Sequence, residues 1–447
     1  MKSYLGLGFT CIFLVSCSVG PSYIPPTVVV PSTWSGSKKV AQNPSHVFWW
    51  REFNDPLLTE LIEQKSLQNL DFKTAHARVL MARADYNIAF AQFFPKASAN
   101  LLPPDGTGTG LAQLLALSAS IEPDLFGKLK ENRNLVAANL QANEATEAFS
   151  LLNLQAEIAS TYLEFREAQQ KEMILQSNRK GTQQILQVLN SRYKSGLNNY
   201  LDIAQQEALI ATQAAELEQN RALMSMISHK LELLTGQLPG GLSRKLSKPQ
   251  TLPQNLRSVD LGIPAELLRR RPDIIAAERR VAAAHANIRV ATANLFPQVS
   301  VGWLVAWQAQ TVSSNIISLH NATSSFLGTF NAPIFNLSLL QTVSLREREK
   351  VLAVLQYELT VMRALHEVEL QASYCGFYQK SAKNLKEAVS KKRLVLKLAN
   401  NVYQKGSSDF ATVYHAEEDV NRLEMAYLHE VVAYQIAKVN LHKALGG

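Results

Sequence analysis

The sequence predicts a mainly α fold with a membrane β-barrel component: long antiparallel helices packed as coiled coils, four β-strands per chain and an internal two-fold repeat. Three observations carry this. Ala138, Ala142, Ala145, Phe149, Leu152, Ala156, Ala159 and Leu163 recur at alternating steps of four and three, the spacing that keeps an apolar seam facing a partner helix. Two inserts, at about residues 96–122 and 298–334, alternate apolar with small polar residues at period two. The chain also matches itself. Displaced by 202 residues, Asp71 to Pro95 falls on Asp273 to Pro297 without a gap, with about ten of 25 positions identical, half of them Ala. Displaced by 210, Tyr193 and Gly196 fall on Tyr403 and Gly406.

The N-terminus sets the compartment. Lys2 precedes an apolar run from Tyr4 to Val15 that is too short to span a bilayer, so residues 1–16 read as a secretory signal peptide. Leu14-Val15-Ser16-Cys17 has the form of a bacterial lipobox, which makes Cys17 the lipidation site, and Ser18 after it points to the outer membrane. Residues 17–46, with Pro21, Pro25, Pro26 and Pro31, form an extended strap from anchor to body. With Cys17 acylated, Cys375 is the remaining thiol of the mature chain and is expected to fill core.

The first repeat runs over 47–240, a Gly/Pro-rich linker over 241–255 and the second repeat over 256–447. Pro56 opens a helical pattern that continues to Phe93 and stops at Pro95. Each repeat then reads insert, long helix, Gly turn (Gly196, Gly406), second long helix. From Gly127 to about Leu189 no Pro intervenes, and roughly 65 residues at about 1.5 Å each make a rod on the order of 100 Å long. Leu345 to Val402 repeats the pattern.

In the inserts Val299, Val301, Trp303, Val305 and Trp307 share one face. Phe326, Gly328, Phe330 and Ala332 share another such face, as do Leu115, Leu117, Ala119 and Ile121; Lys96 to Leu102 shows the weakest alternation. Large residues out and small polar ones in is the transmembrane β pattern; a two-sided soluble hairpin is the alternative. Open strand edges cannot face lipid, and bacterial barrels begin at about eight strands, so one chain with four must share its barrel. A trimer with about twelve strands leads, and a dimer with about eight is the rival.

Enzyme chemistry finds no support. Gly106-Thr107-Gly108-Thr109-Gly110 lacks the Gly-Lys-Ser/Thr of a phosphate loop and reads as a hairpin tip, and the nine His residues show no metal-ligand spacing. No metal or cofactor is expected. The formal charge of +8 is spread along the chain; Arg269 to Arg271 and Lys391 to Arg393 carry no interleaved aromatics, so they read as solvated surface and no nucleic-acid partner is expected.

The residues also resemble a known family. Gly20-Pro21-Ser22-Tyr23-Ile24-Pro25 after Cys17, Trp50-Arg51-Glu52-Phe53-Asn54-Asp55-Pro56-Leu57, Asp124-Leu125-Phe126-Gly127, Ile263-Pro264-Ala265-Glu266-Leu267-Leu268, Arg271-Pro272-Asp273-Ile274 with Ala277-Glu278, and Pro333-Ile334-Phe335 resemble the TolC-like outer membrane factors, especially their lipoprotein branch. Two departures stand out: Ile121-Glu122-Pro123 replaces the usual Trp-Glu, and Leu337-Ser338 replaces a usual Gly pair. The resemblance implies a homotrimer with a twelve-stranded barrel and a periplasmic helical tunnel, lipid-anchored in the outer membrane. Such a trimer is a passive conduit for small molecules such as drugs, or for proteins in type I secretion. Its implied partners are a periplasmic adaptor and an inner membrane transporter such as an RND pump.

By the same resemblance the tunnel's periplasmic aperture is formed around Asp409, Phe410, Thr412 and His415, with Asp202 from the first repeat. His415 stands where the family tends to be acidic, and an imidazole ring titrating near about 6.5 would make the aperture acid-sensitive. Arg192, Tyr193 and Gly196, with Tyr403 and Gly406, mark the turns expected to dock the adaptor. The competing class is a structural coiled-coil lipoprotein without channel activity, which leaves the alternating inserts and the duplication unexplained.

Overall fold

The computed structural model describes residues 19–35, 48–102, 112–248, 250, 252, 261–313 and 316–447. The signal peptide, Cys17, the strap beyond Ser35, the Gly106–Gly110 run and most of the linker beyond Leu252 lie outside the described residues. Ten main elements follow in order: α1 (Leu70–Ala91), β1 (Lys96–Leu102), β2 (Ala112–Ile121), α2 (Lys128–Lys194), α3 (Tyr200–Leu234), α4 (Pro272–Ala293), β3 (Gln298–Ser313), β4 (Ile316–Asn331), α5 (Leu337–Gln404) and α6 (Phe410–Ala444). The duplication is visible in their bounds. α1 and α4 each have 22 residues and start 202 apart, while α3 and α6 each have 35 and start 210 apart. The chain divides into two compact units. One comprises the described residues up to Val28, with Ala77–Ala145 and Ala276–Leu359; the other comprises Val29–His76, Thr146–Ile275 and Thr360–Gly447.

The first unit holds an antiparallel four-stranded sheet in the order β1-β2-β3-β4. Its register joins the apolar faces read from sequence into one: Ala99 lies opposite Leu117, Leu117 opposite Val305, Ala119 opposite Trp303, Trp303 opposite Phe326, and Val299 opposite Phe330. Trp303, Phe326 and Phe330 on that face are exposed to solvent in the single chain. The opposite face pairs Ser98 with Ser118 and Ser300 with Thr329, whose hydroxyls bond across the strands. Two expectations need correction: Ala332 lies beyond β4, and register shifts between Ala306 and Gln308 and between Thr311 and Ser313 break the strict alternation toward the hairpin tip. Within this sheet β1 and β4 each lack a neighbour on one side.

The junction into α2, where the sequence departs from the family pattern, is held by its Asp-Leu-Phe-Gly element. Asp124 accepts from the backbone N–H groups of Leu129 (3.0 Å) and Lys130 (2.8 Å), Gly127 takes a left-handed φ of 76°, and Phe126 stacks on Phe296 at 5.0 Å. The start of the strap, up to Val28, is bound to the same unit. Tyr23 Oη donates to Glu278 at 2.6 Å, His285 Nε2 sits 3.0 Å from the Pro21 carbonyl, and the buried carboxylate of Glu131 pairs with Arg289 at 3.1 Å. Burial, with Lys350 and Arg289 adding like charge, pushes the His285 imidazole below its usual value.

In the second unit the Trp-Arg-Glu-Phe-Asn-Asp-Pro segment forms a core. Trp49, Trp50, Phe53, Leu58, Leu61 and Ile62 are buried with Tyr162, Leu163 and Phe165 of α2, Leu231 of α3 and Val432 of α6. Asp55 caps the Pro56–Glu60 helix through the Leu57 and Leu58 N–H groups and accepts from Tyr162 Oη at 2.5 Å. Arg166, fully buried, donates to the Lys248 carbonyl at 2.9 Å and to Gln250, fastening the linker onto α2. The helix expected from Pro56 to Phe93 is interrupted. A wide π turn over Leu61–Lys65 and a 3-10 turn over Ser66–Gln68 lead to Asn69, which caps α1 at Phe72 and donates to the Leu234 carbonyl.

Of the two basic clusters, Arg269 to Arg271 is not plain solvated surface, whereas Lys391 to Arg393 lies at the surface in exposed ion pairs. Arg271 is 4% exposed and joins Asp273, Glu367 and the Ala444 carbonyl, while Lys392 pairs with Asp419 and Arg393 with Glu424. Cys375 is half-buried, and burial pushes its thiol up to about 11, so it is protonated and inert at neutral pH. Among the described residues no helix is long and apolar enough to cross a membrane.

Candidate functional site

The two Gly turns lie in the second unit and are built alike. Each long helix ends in a Schellman cap, because a Gly in the left-handed region lets the chain reverse: Gly196 (φ 71°) donates to the Tyr193 carbonyl and Leu197 to that of Arg192. Gly406 (φ 73°) donates to Tyr403 and Ser407 to Val402. A Cβ at either glycine would meet no atom within 4 Å, so the backbone angle, and not crowding, requires glycine. The next helices start at equivalent positions with different caps. Asn199 accepts from the Leu201 N–H at 3.3 Å, whereas Asp409 makes no side-chain capping bond, which leaves its carboxylate to the surroundings.

Equivalent aromatic pairs follow. Tyr193 packs on Tyr200 at 6.1 Å, and Tyr403 on Phe410 at 5.5 Å. Their environments differ: Tyr193 and Tyr200 are 46% and 58% exposed, Tyr403 and Phe410 only 6% and 1%. The second pair belongs to a core with Leu189, Ile203, Ala399, Val413 and Ala416. Phe410, expected at the aperture, and Tyr403, expected to dock a partner, are thus interior residues here. Tyr403 instead ties the turns together. Its Oη donates to Asn198 Oδ1 at 3.1 Å, and the Arg192 guanidinium lies 4.7 Å from its ring centre.

The acidic residues expected at the aperture are brought together. Burial pushes the Asp202 carboxyl above its usual value, and the like charge of Asp409, from the other turn, adds to the effect. Tyr403 feels both carboxylates and is pushed up, mainly by burial. His415 stands in the second turn of α6 with its side chain 74% exposed and Nδ1 3.7 Å from Glu418; Thr412 is exposed nearby. Sequence reasoning missed Leu197 and Leu201, exposed apolar residues beside Tyr193 and Tyr200. Apolar residues on both sides of a Gly turn were the available signal. Among the described residues no group of His, Cys, Asp or Glu is placed to hold a metal ion.

Comparison with known proteins agrees with this architecture. A family model described as outer membrane efflux protein matches residues 61–237 and 263–447. The pyoverdine export outer membrane protein OpmQ of Pseudomonas putida is 30% identical over 97% of this chain and 95% of its own length. The cation efflux system protein CusC of Escherichia coli K12 is 27% identical, with 97% of each chain covered. The solved outer-membrane channel OprN superposes with a TM-score of 0.85 at 30% identity, covering 96% of this chain and 99% of that one.

Proposed function

The chain belongs to the outer membrane efflux protein family, and from that premise we propose that it is the outer membrane duct of a tripartite pump for small molecules. Three copies would place their four-stranded sheets edge to edge as a twelve-stranded barrel, with the Trp303, Phe326 and Phe330 face toward lipid, and acylated Cys17 would tether each copy. The observation that carries the reading is the sheet itself: one face exposes large apolar side chains, the other carries Ser and Thr, and both edge strands stand open. A stalk lipoprotein has no use for any of these. The names of OpmQ and CusC, which specify pyoverdine export and cation efflux, favour small solutes over secreted proteins as cargo.

The paired turns would close the periplasmic end. Three copies of Asp202, Asp409, Thr412 and His415 would ring the aperture, and the exposed Tyr193, Leu197, Tyr200 and Leu201, with Arg192 and Gly196, would meet a periplasmic adaptor that links the duct to an inner membrane transporter. Phe410 and Tyr403 would hold the turns from inside. Planar-bilayer conductance of the purified protein tests this. Repulsion between Asp202 and Asp409 opposes closure where both are ionised and fades as pH falls through the raised Asp202 value, so conductance is expected to fall on acidification. Asp409→Asn should move that step to lower pH, and His415→Ala, which strips an exposed side chain from the ring, should change the conductance. A protein with no conductance at any pH sinks the duct. Identical pH curves for the wild type and both variants remove the aperture from these residues.

A further inference from the structure

Beyond the turns, three helices meet on polar side chains that the account above does not use. Thr182 of α2 and Gln206 of α3 are fully buried, Gln213 of α3 nearly so, and Glu417 of α6 is 6% exposed. Thr182 Oγ1 lies 2.7 Å from Glu417 Oε1 and 3.0 Å from the Asn178 carbonyl, so its one proton is shared between two acceptors. Gln213 Nε2 donates to Thr182 Oγ1 at 3.1 Å and Gln206 Nε2 to the Thr182 carbonyl at 3.3 Å. Three buried acceptor oxygens, Glu417 Oε2, Gln206 Oε1 and Gln213 Oε1, are then left with no partner, against one buried donor group, Asn178 Nδ2. The cluster is short of a proton. A carboxylic acid at Glu417 supplies one donor where a carboxylate adds only acceptors.

We infer that Glu417 is the proton-binding element of a latch: neutral, it holds α2, α3 and α6 packed just beyond the two Gly turns, and ionised, it loosens them. Its surroundings agree. α2 and α3 meet it with the neutral Thr182 and Gln206, and the charged neighbour acting on it is Glu418, of like sign. Arg393 of α5 and Glu424 of α6 line the same cavity of about 530 Å³ but are paired with each other at 2.7 Å; Tyr403 of α5, which also lines it, and Tyr414 of α6, which feels the Glu417 charge, are both pushed up and stay neutral. Burial, chiefly, pushes the Glu417 carboxyl above its usual value and Glu418 adds to it, outweighing the hydrogen bonds from Thr182 and Gln206, which pull it down. The sign follows: the packed state keeps a proton that the loosened state gives up. The latch is therefore at full strength below the ordinary glutamate value of 4.5 and is lost as pH rises through the raised one. Glu417 lies seven residues into α6 and Gln206 six into α3, about 10 Å from the turns at 1.5 Å per residue. That it bears on the aperture rests on the proposed function; the latch itself does not.

Hydrogen exchange on the full chain in detergent, corrected for the intrinsic pH dependence of amides, reads the latch without conductance. Opening of the stretches 178–213 and 410–421 should grow by up to about tenfold per pH unit above 4.5 until the raised value is passed, while 428–441 stays flat. Glu417→Gln, which keeps the shape and cannot ionise, should lose the slope in 410–421, while 178–213 keeps the part that Asp202 contributes. A flat wild-type profile, or the same slope in Glu417→Gln, overturns the proposal. Should the Gln variant not assemble, the wild-type contrast between 410–421 and 428–441 decides alone.

Discussion

Arg271→Ala is expected to cost about 3–5 kcal/mol of stability, the range for breaking a buried ion pair by removing one partner. The guanidinium binds Asp273 with two nitrogens at 3.1 and 2.8 Å, Glu367 at 2.9 Å and the Ala444 carbonyl at 2.7 Å, and it is 4% exposed. Truncation leaves the end of α6 without the donor that ties it to the start of α4. Lys443, 3.0 Å from Glu367, neutralises part of what remains, which argues for the lower half of the range. Arg271→Lys should rescue little, because an ammonium cannot reproduce a planar fork serving three acceptors. Chemical denaturation followed by far-ultraviolet circular dichroism measures this. A loss below about 1 kcal/mol would show the cluster to be surface-like after all.

The second large effect separates the two faces of the sheet. Phe326→Arg puts a charge on the face shared with Trp303 and Val301, and an arginine facing lipid near the bilayer midplane costs about 2–4 kcal/mol per copy. The cost multiplies with the copies in one barrel. Ser325→Arg, one residue away at the same depth, points to the other face and should be tolerated as a lumen substitution. Heat-modifiable migration in detergent gels reports assembly. Phe326→Arg should abolish the compact band and Ser325→Arg should keep it. Equal behaviour of the two would mean that neither face meets lipid.

Much of this architecture was legible because it is periodic. The displacements of 202 and 210 residues return as helix pairs of equal length, and the period-two faces return as one continuous apolar face through the strand register. Local chemistry also spoke plainly at Gly196 and Gly406, since a left-handed cap demands glycine. What failed to show depends on residues far apart in the chain. Tyr193-Tyr200 and Tyr403-Phe410 are the same motif in sequence, yet the packing of α2 against α6 buries one pair and leaves the other in solvent. Arg271 reads as part of a basic surface run until Glu367 and Ala444 come to meet it. Thr182 and Glu417 are separated by 235 residues, so no local pattern announces their hydrogen bond. The break at Asn69 is hidden for a similar reason: the side chain that stops the pattern bonds Leu234, on a different helix.

The account rests on β1 and β4 having open edges that further copies of the chain must cover. Native mass spectrometry of the detergent-extracted protein counts those copies directly. Three chains per particle is the predicted result. A particle of one chain would contradict the shared barrel, and one of two would contradict its twelve strands.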